Sequence, residues 1–325
     1  EVLVALRAEA EAQLGPLGPR AVVGRPVRFA GEGRSDERLA LSRLRSAFLH
    51  AGFEEVIFEY EPVAAAWHYA LRLAGPEIVL IGDFGGGTSD FSLLRLVPGA
   101  GGGGHGRHEI LATSGVGVAG DAFDARLVRH CVAPLLGRGS RHRNPFGQEL
   151  AVPLWLYGKL ERWHHLSFLK SPRTLQILSD LAREALEPER IRAFLHLVRE
   201  DRGFELYRAV EAAKHRLSEA EHARILYDDR VVRLEAAASR ADFEAWIAPE
   251  LAKIEACVDE VLAAAGLPAA RVDRVFLTGG SAFVPAVRRI FARRFGAERI
   301  RGGDELGSVA SGLALRARDV SLAGG

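Results

Sequence analysis

One short stretch holds the residue types that phosphoryl chemistry uses. Asp83 ends an apolar run, the glycines at 85–87 follow, and Thr88 and Asp90 add a hydroxyl and a second carboxylate. A carboxylate can hold a metal ion, successive glycine amides can cradle a phosphate, and a hydroxyl can meet a reacting oxygen. Glycines also permit backbone conformations that are closed to other residues. The stretch predicts a phosphate site, and the alternative is a plain glycine-rich hairpin turn.

Two apolar segments must position these residues. Residues 78–81 are typical of a buried strand and residues 91–97 of its hairpin partner. Upstream, residues 55–60 alternate like a strand, and Glu61 and Pro62 open an alanine-rich helix over 63–73. This alternation of strand and helix predicts an α/β lobe.

A second glycine pattern competes with this stretch. Gly115, Gly117 and Gly120 make a G-x-G-x-x-G after a predicted strand at 109–113 and before a helix. A dinucleotide fingerprint requires an acid at the end of a second strand about 20 residues later, and residues 138–142 contain none. No Walker A sequence occurs in the chain. We therefore do not favour a dinucleotide site or a P-loop.

The third glycine pattern lies near the end of the chain. A strand over 272–277 leads into Gly279, Gly280 and Ser281, and a helix is predicted over 284–295. Glycines after a strand bring the backbone close to a ligand, and helix N-terminal amides lie beyond them. Two such turns in α/β surroundings predict one nucleotide held between them.

Composition bounds the class of protein. The 325 residues, with 48% hydrophobic and 26% charged content, suit a globular protein large enough for two lobes. The formal net charge of +1 gives no reason to expect nucleic acid or an anionic membrane as a partner. Cys131 and Cys257 form no CxxC pair, and no signal peptide or apolar spanning run is evident. We predict a cytoplasmic protein with free thiols.

The rest of the chain predicts helices with few strands. Helices are expected over 1–14 and from an N-cap at Ser35 to His50, and a strand over 21–29. Residues 126–240 have helical leucine spacing and a small β element at 223–226 and 230–234, and we assign no chemistry to their histidines. One long helix is expected over 243–265. Residues 99–106 are predicted to be a hairpin tip.

Five motifs together resemble the nucleotide-binding domain of the Hsp70 family, within the actin-fold ATPases. They are Tyr-Glu-Pro-Val-Ala-Ala-Ala at 60–66, Asp-Phe-Gly-Gly-Gly-Thr-Ser-Asp at 83–90, Gly-Asp-Ala-Phe-Asp at 120–124, Glu-Ala-Ala-Lys-His-Arg-Leu-Ser at 211–218 and Leu-Thr-Gly-Gly-Ser-Ala-Phe-Val-Pro at 277–285. They follow the family's order. The expanded region between Asp124 and Glu211 and the ending at 307–312 resemble the YegD-like bacterial relatives.

The resemblance implies the catalytic residues. Glu61 matches the glutamate near the attacking water, and Asp83 matches the aspartate that helps to orient it. Both are expected to hold Mg²⁺ through water. Thr88 matches the hydroxyl that meets the β- and γ-phosphates. A different interpretation of Glu61 is that it merely caps the helix that follows it.

The resemblance also implies a set of residues that bind ATP or ADP. They are Gly85, Gly86, Gly87, Asp90, Gly120, Glu211, Lys214, His215, Ser218, Gly279, Gly280, Ser281 and Phe283. His215 and Phe283 stand where the family usually has arginines beside the adenine, so stacking remains but the charge is lost. Ala119 and Ala122 replace residues that are usually Gly and Asp.

The implied fold is α/β, of the actin/Hsp70 type, with two ribonuclease-H-like lobes, the first incomplete, and a mainly helical lid. The expected divisions are 1–75 for partial lobe I, 76–118 and 246–303 for the lobe II base, 119–245 for its lid and 304–325 for a helix returning to lobe I. The family's first phosphate loop and its lysine are expected to lie in a segment that this sequence lacks, through N-terminal truncation. Nucleotide binding by this chain is therefore expected to be impaired.

The implied function is that of the Mg-ATP-binding and hydrolysing motor domain of an Hsp70-like molecular chaperone. Its expected partners are adenine nucleotide and, through absent or lid regions, unfolded polypeptide clients or co-chaperones. One alternative is a nucleotide-binding or structural relative that no longer hydrolyses. Another is a small-molecule kinase of the actin fold, although no motif for a sugar pocket was found. Whether the chain itself is an enzyme stays open at this point.

Overall fold

The computed structural model describes residues 1–26, 29, 34–70, 73–98, 107–301 and 305–323. The contacts divide the chain into two compact units. The first unit comprises Glu1–Gly117, Lys253–Ala282 and Arg288–Gly325, and the second comprises Val118–Ala252 and Phe283–Val287. The division into lobes, base and lid predicted from the sequence stays a prediction.

The elements alternate between helix and strand up to residue 116. They are α1 (Val2–Leu14), β1 (Arg20–Arg25), α2 (Arg34–His50), β2 (Glu55–Tyr60), α3 (Glu61–Ala70), β3 (Glu77–Phe84), β4 (Ser89–Val97) and β5 (Arg107–Val116). The next elements are mainly helical: α4 (Gly120–Leu127), β6 (Arg141–Arg143), β7 (Glu149–Ala151), α5 (Leu154–Leu160), α6 (Pro172–Glu184), α7 (Pro188–Arg199), α8 (Gly203–Glu219), β8 (His222–Asp228), β9 (Arg233–Ser239) and α9 (Arg240–Trp246). The last are α10 (Ala248–Ala264), β10 (Arg274–Thr278), α11 (Pro285–Phe295), β11 (Ile300–Arg301) and α12 (Glu305–Ala323).

A five-stranded sheet in the order β11-β10-β3-β4-β5 is the centre of the first unit. Strand β3 pairs in parallel with β10 and antiparallel with β4. Its side chains are buried on both faces, as the continuous apolar run at 78–81 predicts. On one face Val79 and Ile81 pack with Val63 and Ala66 of α3. On the other, the rings of Phe84 and Phe91 lie about 6 Å from that of Phe291 in α11.

Several sequence predictions of element boundaries need correction. The strand expected over 21–29, with Pro26 interrupting it, is β1 as far as Arg25, because Pro26 has no N–H to continue a ladder; residues 27 and 28 lie outside the described residues. Helix α3 begins at Glu61 rather than at residue 63. The single helix expected over 243–265 is two helices, α9 and α10, with Ile247 between them. The predicted hairpin tip at 99–106 and the side chain of Ser35 lie outside the described residues.

The second unit is built mainly from helices, with a β8–β9 hairpin and a short β6–β7 hairpin. Helices α6, α7 and α8 bury leucine and phenylalanine side chains at helical spacing, which confirms the predicted periodicity. The buried rings of Tyr157 and Phe194 stack with their centroids 5.2 Å apart. The predicted β element is also present, but the first strand is longer than predicted and the second begins at Arg233, not at residue 230, and continues to Ser239.

Candidate functional site

The two glycine turns of the first unit lie at the ends of neighbouring strands. Strands β3 and β10 run in parallel, and Thr278 pairs with Asp83 at the last position of their register. The turn at 85–88 follows β3, and the turn at 279–281 follows β10. The carboxyl ends of parallel strands in an α/β sheet are where ligands bind. The fold therefore places side by side two turns that are far apart in sequence.

Gly279 is required by the fold. Its φ is +85°, in the left-handed region, and a Cβ on it would overlap the carbonyl oxygen of Phe84. The two chain segments can approach this closely only where one of them has no side chain. Ser281, two residues further on, is buried. The turn after β10 is thus held tightly against the end of β3.

The turn at 85–87 is different, and one expectation about it is wrong. In this turn, all of which the structure describes, Gly85, Gly86 and Gly87 have no positive φ, so they are not there for unusual backbone conformations. The Gly85 amide donates to the Thr88 carbonyl at 2.9 Å and closes the turn. Among the described residues, no backbone carbonyl accepts from the amides of Gly86 and Gly87. A Cβ on Gly87 would meet nothing within 4 Å.

Three carboxylates lie near this turn. Asp83 and Asp90 face each other in the β3–β4 register, and Asp90 is buried. Thr88 Oγ1 donates to Asp90 Oδ2 at 3.0 Å, and a Cβ on Gly115 would lie 2.5 Å from Asp90 Oδ1. The pKa of Glu61 is raised by burial first and then by repulsion from Asp83 and Asp90. Burial also raises the pKa of Asp83. The site thus concentrates negative charge with little solvent to screen it.

The donor set suits a cation held through water. In the part of the chain that the structure describes, no basic side chain pairs with Glu61 or Asp83, and no three His, Cys, Asp or Glu side chains are close enough to hold a metal ion directly. Mg²⁺ usually keeps several waters and takes one or two carboxylates together with substrate phosphates. Two half-buried carboxylates beside open glycine amides fit that mode, and a cation there would relieve their repulsion.

Glu61 occupies the first position of α3, which is the position that the helix-cap interpretation requires. It is nevertheless partly buried, and a Cβ on Gly24 of β1 would lie 3.2 Å from its Cγ. A carboxylate that served only the helix dipole would gain from exposure and from distance to other carboxylates. Burial near two other carboxylates is therefore unfavourable for a residue that only caps a helix, whereas it is consistent with a cation site.

The remaining predicted ligand residues belong mostly to the second unit. Glu211, Lys214, His215 and Ser218 follow i, i+3, i+4, i+7 spacing on α8, so they share one face. Lys214 Nζ donates to Asp124 Oδ2 at 2.8 Å, and Ser218 Oγ donates to the Lys214 carbonyl at 3.3 Å. His215, with 71% of its side chain exposed, and Phe283, with 57% exposure, are both accessible. Gly120 is buried at the start of α4.

Because these residues fall in both units, their joint contact with one nucleotide stays a prediction. Sequence reasoning gave Asp124 no role, although it is 7% exposed and paired with Lys214. Its signal was an aspartate at core spacing beside Phe123 and Leu127 in α4. Such a residue is buried only when it has a partner or a function.

The fold and the sheet edge define a class first: an α/β protein with a glycine turn beside carboxylates at the ends of its central strands. The family model described as Hsp70 protein matches residues 1–138 and 199–321. The chain belongs to the Hsp70 family, as the motifs predicted, and this family has the actin-like ATPase fold.

Curated relatives agree with this assignment. The chain is 29% identical to the chaperone protein DnaK of Deinococcus deserti, over 98% of this chain and 41% of the relative. It is 28% identical to the chaperone protein DnaK of Thermus thermophilus, over 82% of this chain and 35% of the relative. The chain thus spans about two fifths of the length of these relatives. Within the described residues, no helix has the length and apolar character needed to cross a membrane.

Proposed function

We propose that this chain is the Mg-ATP-binding and hydrolysing motor domain of an Hsp70-like molecular chaperone. The observation that supports it most is the edge of the first unit's sheet. There Asp83 and Glu61, whose pKa values are raised, lie beside the glycine turn at 85–87. Neither a positive φ nor a close approach of the chain requires glycine at position 87. The glycines at 85–87 are not needed for a strained backbone conformation, but a ligand that accepts hydrogen bonds from exposed amides would account for them.

In this proposal the turn at 85–88 receives the terminal phosphates. The amides of Gly86 and Gly87 donate to phosphate oxygens, and the Thr88 hydroxyl, held by Asp90, lies beside them. Mg²⁺, when bound, neutralises phosphate charge in this site. Asp83 and Glu61 would hold its hydration shell, with Glu61 near the attacking water and Asp83 helping to orient that water. Positioning and charge neutralisation account for the rate, because phosphoryl transfer asks for little covalent chemistry from the protein.

The adenosine end is proposed to be bound by two groups of residues. One group is Gly279, Gly280 and Ser281 after β10, followed by Phe283, and the other is Gly120 with the α8 face that carries Glu211, Lys214, His215 and Ser218. Exposed His215 and Phe283 offer flat surfaces for the adenine. The hydrogen bond to Asp124 orients the Lys214 ammonium group, which is proposed to contact the ribose.

Finer assignments follow the same resemblance. We propose that the protein has two lobes and that residues 119–245 form the lid of lobe II. Within the family we propose that it is most similar to the YegD-like bacterial relatives, and that it is cytoplasmic. The family model leaves residues 139–198 unmatched, which supports the proposed expansion within the lid. Unfolded polypeptide clients and co-chaperones are the proposed partners of the whole protein.

Single-turnover ATP hydrolysis by the full-length protein tests the proposal. Asp83→Asn and Glu61→Gln should each slow turnover by about 10²–10³-fold while Mg-ATP still binds, because each removes one preorganised charge. Glu109→Gln is the matched control: an exposed acid on β5 of the same sheet, expected to leave the rate unchanged. Full turnover in Asp83→Asn would overturn the proposal.

The same experiment separates the alternatives. Nucleotide binding by the wild type without turnover favours the relative that no longer hydrolyses. Transfer of the γ-phosphate to a small-molecule alcohol favours the actin-fold kinase. An undiminished rate in Glu61→Gln together with a lowered melting temperature identifies Glu61 as a helix cap.

A further inference from the structure

A hairpin of the second unit displays a phenylalanine to solvent. Phe146, in the turn between β6 and β7, is 88% exposed, more than any other large apolar residue that the structure describes. The hairpin lies within residues 139–198, which the family model does not match, and none of the proposed nucleotide residues belongs to it. An exposed ring contributes nothing to folding, whereas a buried aromatic anchor contributes strongly to an interface.

The turn holds Phe146 in a fixed conformation. The Asn144 side chain accepts with Oδ1 from the amides of Phe146 and Gln148, at 3.0 and 2.9 Å, and donates with Nδ2 to the Gln148 side chain. Two backbone hydrogen bonds of 2.9 Å close the same turn, from Asn144 to Gln148 and from Gly147 to Asn144. A side chain presented on such a turn loses little conformational entropy when a partner binds it.

The hairpin is also fixed to the body of the second unit. On one side, His142 of β6 bridges to Ala185, and the Leu186 amide donates to the Arg141 carbonyl at 2.8 Å. At its base, the amide of residue 152 donates to the Ser140 carbonyl at 3.1 Å. These contacts set the direction in which the exposed ring projects, so a pocket that receives the ring belongs to another molecule.

Positive charge accompanies the exposed ring. Arg141 and Arg143 are two residues apart on β6, so they share one face of the hairpin, and both are exposed. Among the described residues, Glu149 is the only carboxylate that pairs with either of them. Two guanidinium groups around one carboxylate leave an excess of positive charge. A complementary pocket therefore combines apolar walls with negative charge.

The second unit itself contains such a pocket. A cavity of about 590 Å³ has apolar and aromatic walls, with the accessible ring of Phe204 at 71% exposure and the ring of Tyr207, whose hydroxyl donates to the Leu160 carbonyl at 2.7 Å. Among the described residues that line it, one is basic, Arg208, and four are acidic: Asp121, Asp124, Asp201 and Glu211. An acidic lining by itself indicates no ligand. The hairpin supplies, independently, both an apolar anchor and the opposite charge.

We infer that the hairpin of one copy of this chain docks into the cavity of a second copy, with Phe146 against Phe204 and Tyr207. The basic face of the hairpin then meets the acidic lining. Because the two surfaces differ, the contact is heterologous, and each copy in a pair keeps one free hairpin and one free cavity. Association therefore continues into open chains or closes into rings instead of stopping at a symmetric dimer.

Sedimentation velocity of the full-length protein without nucleotide tests this inference. Between about 10 µM and about 0.5 mM, the wild type should grow beyond a dimer, with a Kd on the order of 0.1 mM for each contact. Raising the salt concentration from about 0.05 M to about 0.5 M should weaken the contact several-fold, because the facing charges are screened. A wild type that stays monomeric, or association that salt does not weaken, would overturn the inference.

Two single variants identify the surfaces. Phe146→Asp replaces the anchor with a charge that the acidic cavity repels, and Phe204→Arg places a cation in the cavity. Each should weaken self-association at least tenfold. An equimolar mixture of the two should form a heterodimer and grow no further, since the intact hairpin of one variant fits the intact cavity of the other. A folded pair that forms no heterodimer would contradict the inference.

Controls separate this contact from general effects of charge. Leu226→Arg makes a similar change at an apolar residue of β8 that is 59% exposed and does not line the cavity, and it should associate as the wild type does. The double variant Phe146→Asp/Phe204→Arg should not pair with either single variant. Phe204→Ala, expected to weaken association several-fold, replaces Phe204→Arg if circular dichroism shows that the arginine variant is unfolded. Association of Phe146→Asp at wild-type strength would assign self-association to another surface.

Discussion

The two glycine turns of the first unit lie at the ends of paired strands, yet they use glycine for opposite reasons. After β10, Gly279 has a positive φ and leaves no room for a side chain beside Phe84. After β3, Gly87 has no positive φ and has open space where a Cβ would be. Folding requires the first glycine. The second is not required for folding and is explained by the ligand proposed to bind at the turn. The comparison therefore distinguishes a glycine with a structural role from a glycine with a proposed ligand-binding role.

The largest expected effect is on stability at the turn after β10. Gly279→Ala should lower the free energy of unfolding by about 3 kcal/mol or more, because it adds left-handed strain to main-chain overlap. Urea denaturation measures it. Gly280→Ala is the matched control, since a Cβ there meets nothing within 4 Å, and its cost should stay below about 0.5 kcal/mol. Equal losses of stability in the two variants would contradict the claim that the fold requires glycine at position 279.

The next effect concerns the hydroxyl beside the open turn. Thr88→Ala should slow ATP turnover by roughly tenfold, since it removes a hydrogen bond to the buried Asp90 carboxylate worth about 1.5 kcal/mol. Thr88→Ser, which keeps the hydroxyl, should retain most of the rate. The measurement is single-turnover hydrolysis by the full-length protein. A serine variant as slow as the alanine variant would show that the methyl group matters and the hydroxyl does not.

A smaller effect is a gain in stability. The pKa of Glu61 is raised in the folded protein, so its folding contribution is most favourable when protonated and is lost as pH rises through that pKa. Glu61→Gln should therefore stabilise the nucleotide-free protein at pH 7 by roughly 0.5–1 kcal/mol, and by less at pH 4. Thermal unfolding at the two pH values checks this, with Glu109→Gln as the exposed control. A loss of stability at pH 7 would favour the helix-cap interpretation.

The smallest expected change in stability is at the open turn itself. Gly87→Ala should alter the free energy of unfolding by less than about 0.5 kcal/mol, because its Cβ has space and its φ is ordinary. Mg-ATP affinity should nevertheless fall several-fold, since the added methyl group stands where a phosphate would approach. Urea denaturation and calorimetry on the same sample separate the two. Unchanged affinity would mean that the turn does not receive the ligand.

Much of the fold could be predicted from local patterns. The apolar run of β3, its hairpin partner β4 and the alanine-rich helix α3 follow from spacing and composition alone. The break between α9 and α10 was missed although the sequence signals it, because Pro249 lies within the residues 243–265 that were expected to form one helix. The side chain of Ile247 is fully buried, and its backbone leaves the helix with φ of −88° and ψ of 0°. Pro249 stands in the first turn of α10, where a proline is tolerated, and it could not have continued α9.

The sequence by itself determined the family, through five motifs in the family's order, and which residue types stand at the two turns: aspartate, glycines and threonine after β3, and glycines and serine after β10. Tertiary structure alone decided which glycine the fold requires, since that depends on the approach of Gly279 to Phe84 across a strand pairing. It also decided that Asp124 meets Lys214, 90 residues along the chain. Sequence patterns report local spacing, whereas burial, repulsion between carboxylates and an unpaired oxygen arise only when distant segments are brought together.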